Sequence, residues 1–331
     1  MNWDTDMRAA WYERNGEAKD VLVVGDRTDP SPVAGEVRVR VHVSAVNPSD
    51  VKSRMRRPLA TPWVIPHSDG AGVIDAVGEG VPASRLGQRV WLWNGQWKRA
   101  SGTAAELICL PSQQAVDLPE QASFDEGACV GIPVLTALQS LRLAGEIDGR
   151  SLLVIGGGSM VGQYVAQIAA QRGAQVIATA GTPARRDSAR SAGAAHVIDH
   201  RAEPVAERVR ELTAGRGVDA VIDMDFQSTA GLIGKGVLRP HGRLVSYGSN
   251  QTVEIPVDFR AMLWDSLTIA CFLVYELRPA DRAAVVEAAN DLLRRRALAH
   301  RTAAAFGLDD IAQAHATVED GRRVGAVLVR P

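Results

Sequence analysis

The 331-residue chain reads as an α/β protein with a mostly β portion and a doubly wound parallel sheet. Two rhythms predict this. Before about residue 123, apolar residues come in short strand-like runs broken by Gly and Pro; beyond it, strand-like and helix-like runs alternate. A compact antiparallel barrel gives the first pattern, and a parallel sheet covered by helices gives the second. The length suits two hydrophobic cores rather than one.

In the first portion, Val37, Val39, Val41 and Val43 alternate with Arg38, Arg40, His42 and Ser44, the period of a half-buried strand. Further apolar runs follow at Val73-Ile74, Val90-Trp91-Leu92-Trp93 and Leu107-Ile108-Cys109-Leu110. Ser123, with Glu126 three residues later, forms a capping box that opens a helix, and a helical stretch over 134–144 leads to Gly149. Strand runs at 152–155, 176–179, 196–198, 220–222 and 243–246 then alternate with helical runs at 161–170, 184–192, 205–212 and 230–238. Two helices, near 280–295 and 308–318, precede a final strand at Ala326–Val329. The first six residues read as a short, poorly ordered lead-in.

Composition narrows the function classes. A net charge of -1 gives no broad attraction to nucleic acid or an anionic membrane. No apolar run reaches the roughly 18 residues that a membrane-spanning helix needs, and the N-terminus lacks the apolar core of a secretory signal. Cys109, Cys129 and Cys271 are scattered and odd in number. They read as small buried hydrophobes of a cytoplasmic protein rather than as a disulfide framework.

The strand at 152–155 runs into Gly156-Gly157-Gly158-Ser159-Met160-Val161-Gly162, and a helix follows. This is the context of a dinucleotide turn: glycines let the backbone approach a pyrophosphate, whose charge meets free N–H groups at the helix N-terminus. Ser159 and Met160 stand where such turns often carry Gly; Ser159 can donate to a phosphate oxygen, and Met160 shapes the turn. An NAD-preferring fold places Asp or Glu at the end of the next strand. Here that strand ends in Ala180-Gly181-Thr182-Pro183-Ala184-Arg185-Arg186, without a carboxylate. Thr182 offers a hydroxyl, and Arg185 or Arg186 a charge-assisted fork for a 2′-phosphate. This predicts NADPH as cofactor, preferred roughly tenfold to hundredfold. Arg186 reads more readily than Arg185 as a solvated helix residue.

With these residues in view, the chain resembles the medium-chain dehydrogenase/reductase superfamily, and within it the zinc-independent quinone oxidoreductases. The resemblance rests on Val46-Asn47-Pro48-Ser49-Asp50, Asp69-Gly70-Ala71-Gly72-Val73-Ile74, Val77-Gly78, Gly102-Thr103-Ala104-Ala105-Glu106, Gly131-Ile132-Pro133-Val134-Leu135-Thr136-Ala137, the 156–162 turn, Gly181-Thr182 and Leu238-Arg239-Pro240-His241-Gly242-Arg243-Leu244-Val245. It implies a GroES-like catalytic domain, residues 1–128 and 273–331, and an inserted Rossmann domain, residues 129–272. It also implies an active-site cleft between them and a homodimer.

Zinc-dependent members carry a Cys shortly before an Asp, a Gly-His-Glu motif and a four-Cys lobe. Here the first position falls in Asn47–Asp50 without Cys, the second reads His67-Ser68-Asp69, and no Cys precedes residue 109. The expected metal content is therefore none. Without a Lewis acid, an acceptor that spreads its own charge is favoured, such as a quinone or enone.

The resemblance places Asn47 beside nicotinamide and acceptor. Asp50 reads as a loop-holding residue or a catalytic one, and Lys52, standing where several relatives carry Tyr, as an oxyanion donor or a solvated lysine. It implies cofactor contacts from Thr136, Gly156, Gly158, Ser159, Met160, Val161, Gly162, Gly181, Thr182, His200, Tyr247, Gly248, Ser249, Phe272 and Val274. Arg323 reads either as a phosphate contact or as a surface residue. The expected activity is NADPH-dependent hydride transfer to a quinone or related conjugated carbonyl. Alternatives are an enone, enal or enoyl double-bond reductase, and a nucleotide-binding redox sensor with little catalysis.

Overall fold

The computed structural model describes residues 6–251 and 253–331. The expected lead-in lies outside the described residues except for Asp6, which already belongs to a strand. The chain divides into two compact units, Met1–Ile132 with Val286–Pro331, and Pro133–Val285.

The first unit begins with strands β1 (Asp6–Trp11), β2 (Val23–Thr28), β3 (Glu36–Val46), β4 (Asp69–Val77), β5 (Arg89–Leu92), β6 (Leu107–Pro111) and β7 (Ala115–Asp117). Among them lie helices α1 (Ala18–Val21), α2 (Pro48–Arg56) and α3 (Phe124–Ala128). The expected Ser123–Glu126 capping box opens α3, with the Ser123 N–H donating to Glu126 Oε2 at 2.6 Å and the Glu126 N–H to Ser123 Oγ at 3.2 Å.

The second unit holds α4 (Leu135–Ala144), β8 (Ser151–Val154), α5 (Met160–Gln171), β9 (Gln175–Thr179), α6 (Pro183–Ser191), β10 (His196–Ile198), α7 (Val205–Leu212), β11 (Val218–Asp223), α8 (Phe226–Thr229), β12 (Leu238–Ser246), α9 (Phe259–Trp264) and β13 (Thr268–Cys271). Helix α10 (Pro279–Arg294) spans the second boundary, and β14 (Thr302–Gly307), α11 (Ile311–Glu319) and β15 (Ala326–Arg330) complete the first unit.

In the first unit, a seven-stranded sheet runs β14-β15-β3-β4-β5-β7, with β6 paired to β3. Val37, Val39, Val41 and Val43 are all buried, and the first three pack with Ile74, Val90, Ile108 and Leu110, because period two sends them to one face. Arg38 and Arg40 meet Asp75 on the other face. Ser44 departs from the outward register, being fully buried. Gly72 lies under β3 so closely that a Cβ would meet the Arg40 carbonyl oxygen at 2.0 Å.

The second unit's six strands are all parallel, in the order β10-β9-β8-β11-β12-β13. Strands β8, β9 and β11 are near-continuous buried apolar runs, as helices on both faces require. Strand order reverses between β8 and β11, the switch point where open α/β sheets bind ligands.

Four details differ from expectation. The helix expected over 230–238 ends early, at Gly236 in left-handed backbone (φ 69), and Leu238 already opens β12. The second boundary falls at 285/286 rather than 272/273, because Arg142 pairs with Asp281 and Arg282 donates to the Val274 carbonyl within the parallel-sheet unit. The first falls at 132/133 rather than 128/129, inside a π-helical turn over Val130–Val134. Only Cys129 of the three cysteines is buried, and Cys271 is exposed at the sheet edge.

Candidate active site

At the end of β8, Gly156 turns in left-handed backbone (φ 72), where a Cβ would meet Met224 Sδ at 2.1 Å. A Cβ on Gly158 would meet the Arg185 carbonyl oxygen at 2.8 Å, and one on Gly162 the Gly156 carbonyl oxygen at 2.4 Å. Side chains are excluded here by close backbone approach. Ser159 caps α5 by accepting from the Gly162 N–H at 3.1 Å, and it also bonds the Tyr247 phenol. The Ser159 hydroxyl thus has partners inside the protein, which the expected phosphate contact must displace or share. Among the described residues, the N–H groups of Gly158, Met160 and Val161 donate to no protein acceptor. Three free donors at the N-terminus of a twelve-residue helix form an anion cradle that fits a dinucleotide diphosphate.

Beyond β9, Gly181 is overlaid by His200 and Arg201: a Cβ there would meet Arg201 Nε at 2.7 Å and His200 Cε1 at 2.9 Å. Thr182 caps α6 and accepts from the Arg185 N–H. Burial and the neighbouring Arg201 both lower the Arg185 pKa, and burial followed by Arg201 lowers that of His200. Two guanidiniums, Arg185 and Arg201, thus repel each other at one strand end, beside a His200 imidazole held in its neutral form. Arg201 was not foreseen; the β10 turn that presents His200 also brings it over Gly181. Arg186 is instead consumed by an ion pair with Asp199, which departs from its expected place in the cofactor set.

Around the switch point, Asp223 is fully buried and accepts from the Asp225 N–H at 2.9 Å and Thr229 Oγ1 at 2.8 Å. Burial pushes its carboxyl pKa up, and pushes the Tyr247 phenol well above its ordinary value. Tyr247 and Gly248 follow β12, and the Tyr247 and Phe272 rings lie 6.4 Å apart. The buried hydroxyls of Thr136 and Ser249 have no partner among the described residues, and such orphaned donors fit a ligand that supplies acceptors. The Val274 carbonyl is taken by Arg282, so only the rest of its backbone is open to a cofactor. Arg323, in the first unit, donates to the Gly325 carbonyl.

In the first unit, Asn47 precedes α2 and is buried. Its N–H donates to Asp50 Oδ2 at 2.8 Å and its Nδ2 to Asp69 Oδ2 at 2.9 Å. Asp69 Oδ2 also accepts from the Ile132 N–H at 2.9 Å. Asp50 is buried, and desolvation raises its pKa to about 7 against hydrogen bonds from Asn47 and the Ser68 N–H. Lys52 is exposed on α2.

Sequence reasoning missed a buried polar chain behind this cluster. His67 stands in left-handed backbone (φ 76). Its Nε2 lies 2.9 Å from His315 Nε2, and its Nδ1 lies 2.8 Å from Ser44 Oγ. Ser44 Oγ lies 2.7 Å from Thr103 Oγ1, which donates to the Asp69 carbonyl at 2.6 Å. Thr103 gives its own proton to Asp69, so Ser44 donates to Thr103 and His67 Nδ1–H to Ser44; with His67 neutral, His315 Nε2–H then donates to His67 Nε2. Burial favours the neutral form of both rings, lowering both pKa values, that of His67 to about 3. His67 and Asp69, the only tempting metal pair in sequence, are committed to different partners. No group of three His, Cys, Asp or Glu able to hold a metal occurs among the described residues.

A mostly β unit carrying a buried Asn-Asp-Asp cluster, with a parallel-sheet unit carrying a dinucleotide cradle, defines a class of nicotinamide nucleotide oxidoreductases. Comparison with known proteins agrees. Residues 33–120 match the family model for the alcohol dehydrogenase GroES-like domain, and residues 161–291 match that for zinc-binding dehydrogenase. The chain is 30% identical to the quinone oxidoreductase of Rattus norvegicus over 80% of each chain, and 29% identical to that of Homo sapiens over 95% of this chain and 94% of the relative. It is 35% identical to a mycocerosic acid synthase-like polyketide synthase of Mycobacterium tuberculosis, over 72% of this chain and 11% of that protein. Among solved structures it is similar to AibC (TM-score 0.88, 25% identity, 99% and 97% of the two chains) and to a mycobacterial protein complexed with NADPH (TM-score 0.87, 25% identity, 98% and 100%). The chain belongs to the quinone oxidoreductase-like branch of the medium-chain dehydrogenase/reductase superfamily.

Proposed function

We propose that the protein is an NADPH-dependent, zinc-independent reductase that delivers hydride to a quinone or related conjugated carbonyl. The observation carrying the cofactor choice is the pair of repelling guanidiniums, Arg185 and Arg201, near Gly181, where β9 ends without a carboxylate of its own and Asp199 is paired with Arg186. A 2′-phosphate would relieve their mutual repulsion, whereas a bare ribose hydroxyl would not. The Gly158, Met160 and Val161 N–H groups would hold the diphosphate, and the Thr136 and Ser249 hydroxyls are the free donors left for the rest of the nucleotide. When bound, NADPH supplies the hydride.

On the acceptor side, the Asn47 amide is held by Asp69 and Asp50, so its direction is fixed before an acceptor arrives. Protonation of Asp50 near pH 7 weakens its hold on Asn47 and leaves an amide hydrogen for an acceptor oxygen. That oxygen carries delocalised charge if the acceptor is conjugated, and modest hydrogen bonding then suffices. The medium-chain relatives named quinone oxidoreductases support this acceptor class. We also assign a homodimer, supported by Phe259, Leu263 and Trp264, exposed on α9, which precedes the edge strand β13 in the chain.

Steady-state kinetics with NADPH and NADH, against a benzoquinone and an alkenal, with and without a chelator, test the reading. Higher kcat/KM with NADPH, unaffected by chelation, is expected. A preference for NADH, or loss of turnover on chelation, overturns it.

A further inference from the structure

A cavity of about 410 Å³ opens in the first unit and plays no part in the assignments above. Its volume falls in the range of small-molecule sites. Its wall includes Ser53 and Arg57 from α2 and its C-terminal cap, Tyr12, and the loop residues Trp97, Lys98 and Arg99. Three cations line it and no carboxylate does.

The cations are built in rather than scattered. Arg57 lies over the Trp97 ring at 5.1 Å and the Lys98 ammonium at 5.7 Å, so one indole braces two charges. Arg99 donates from Nη2 to Gln114 Oε1 at 2.7 Å, while its Nη1 is buried without a hydrogen-bond partner among the described residues. Lys98 sits in left-handed backbone (φ 57), a conformation disfavoured for a residue with a side chain. The Gln96 side chain holds that turn by donating to the Arg99 carbonyl at 2.9 Å. Asn15 fixes the other wall, its Nδ2 donating to the Ser53, Arg54 and Arg57 carbonyls at the end of α2.

The cavity also stands in register with the Asn47 cluster. Asp50, Ser53 and Arg57 follow one another at i, i+3 and i+7, one face of α2. The charge of Arg57 reaches the Asp50 carboxyl. From Asn47 to Arg57 the helix rises about 15 Å at ~1.5 Å per residue.

We propose that this cavity binds an anionic group carried by the acceptor itself, a carboxylate or phosphate roughly 15 Å from the conjugated carbonyl. The substrate class is then an acid-tailed conjugated acyl compound rather than a small neutral quinone. The tail's oxygens accept from Arg57 and Lys98, with Arg99 adding its charge to the wall, and Trp97 covers the chain behind it. The inference rests on the hydride-transfer reading for its substrate, but not for the anion site.

The test uses the full-length protein loaded with NADPH and three enones of equal chain length: one neutral, one ending in a carboxylate and one ending in a phosphate. Saturated analogues, which cannot be reduced, are titrated calorimetrically in parallel. Wild type should favour a tailed enone over the neutral one by about tenfold or more in kcat/KM, the worth of one charge-assisted hydrogen bond. The two tailed arms identify the anion. That ratio should collapse toward one in Arg57→Gln and Arg99→Gln, and analogue affinity should fall by a similar factor. Arg57 is exposed and caps a helix already held by Asn15, so Arg57→Gln remains informative if Arg99→Gln fails to fold. Equal kcat/KM for neutral and tailed enones, or a tail preference surviving both substitutions, overturns the proposal. Analogue binding that weakens in Arg57→Gln, with no enone reduced by wild type, upholds the anion site and overturns the hydride reading instead.

Discussion

Replacing Asp50 with Asn should make the protein more stable at neutral pH, although it removes a buried hydrogen-bonded group. Burial raises the Asp50 carboxyl from 3.8 to about 7. At ~1.4 kcal/mol per tenfold, holding it ionised costs ~4 kcal/mol relative to the unfolded chain. Asparagine keeps an oxygen for the Asn47 or Ser68 N–H but accepts both less well, at about 1 kcal/mol each. A net gain of about 1–3 kcal/mol should remain above pH 7. The sign follows from proton counts. Between 3.8 and about 7 the folded state binds more protons at Asp50 than the unfolded chain, so stability rises as pH falls across that window. His67 acts oppositely: lowered from 6.5 to about 3, it makes stability fall as pH drops through that range. The two slopes oppose each other between 3.8 and 6.5 in wild type. In Asp50→Asn only the histidine slope survives, so acid sensitivity should begin near pH 6.5 and steepen. Urea unfolding followed by tryptophan fluorescence reads this unit selectively, because six of the seven tryptophans lie before residue 132. An Asp50→Asn protein no more stable than wild type above pH 7, or with an unchanged acid limb, refutes the reasoning.

Three further outcomes are expected. Arg201→Gln should raise KM for NADPH by about tenfold and leave KM for NADH nearly unchanged, erasing much of the cofactor preference; equal effects on both nucleotides would remove Arg201 from the 2′-phosphate site. His315→Ala should cost about 2–4 kcal/mol in urea unfolding, combining a cavity with a buried His67 Nε2 left without its donor. A loss below about 1 kcal/mol would show that the imidazole chain contributes little. Trp264→Glu, at a position 73% exposed on α9, should convert a dimer to a monomer in light scattering without lowering thermal stability; an unchanged mass places the interface elsewhere.

What sequence reveals here divides by distance along the chain. The valines of β3, the Ser123–Glu126 cap and the glycine turn were legible because each depends on residues a few positions apart. Arg201 sat one residue beyond His200, yet nothing local said that the β10 turn would lay both over Gly181. Ser44 is the sharper case. Alternation assigned it outward, and its neighbours Arg40 and His42 obey. It is buried because His67 and Thr103, 23 and 59 residues away, supply the hydrogen bonds that make a buried hydroxyl tolerable. His315 lies 248 residues from His67, and only the return of the chain through α11 and β15 brings them together.

The same contrast bears on how the site works. Arg54, buried on α2, pairs with Glu319, which lies one turn beyond His315 on α11. The helix that begins at Asn47 is thereby tied to the helix that carries His315, while the imidazole chain runs back to the Asp69 carbonyl. Asp69 itself holds Asn47 through its carboxylate. Asn47 is thus fixed from two sides by contacts that no local motif encodes. A left-handed histidine backbone costs on the order of 1–3 kcal/mol. It persists at His67 because both ring nitrogens are held there, Nδ1 by Ser44 and Nε2 by His315.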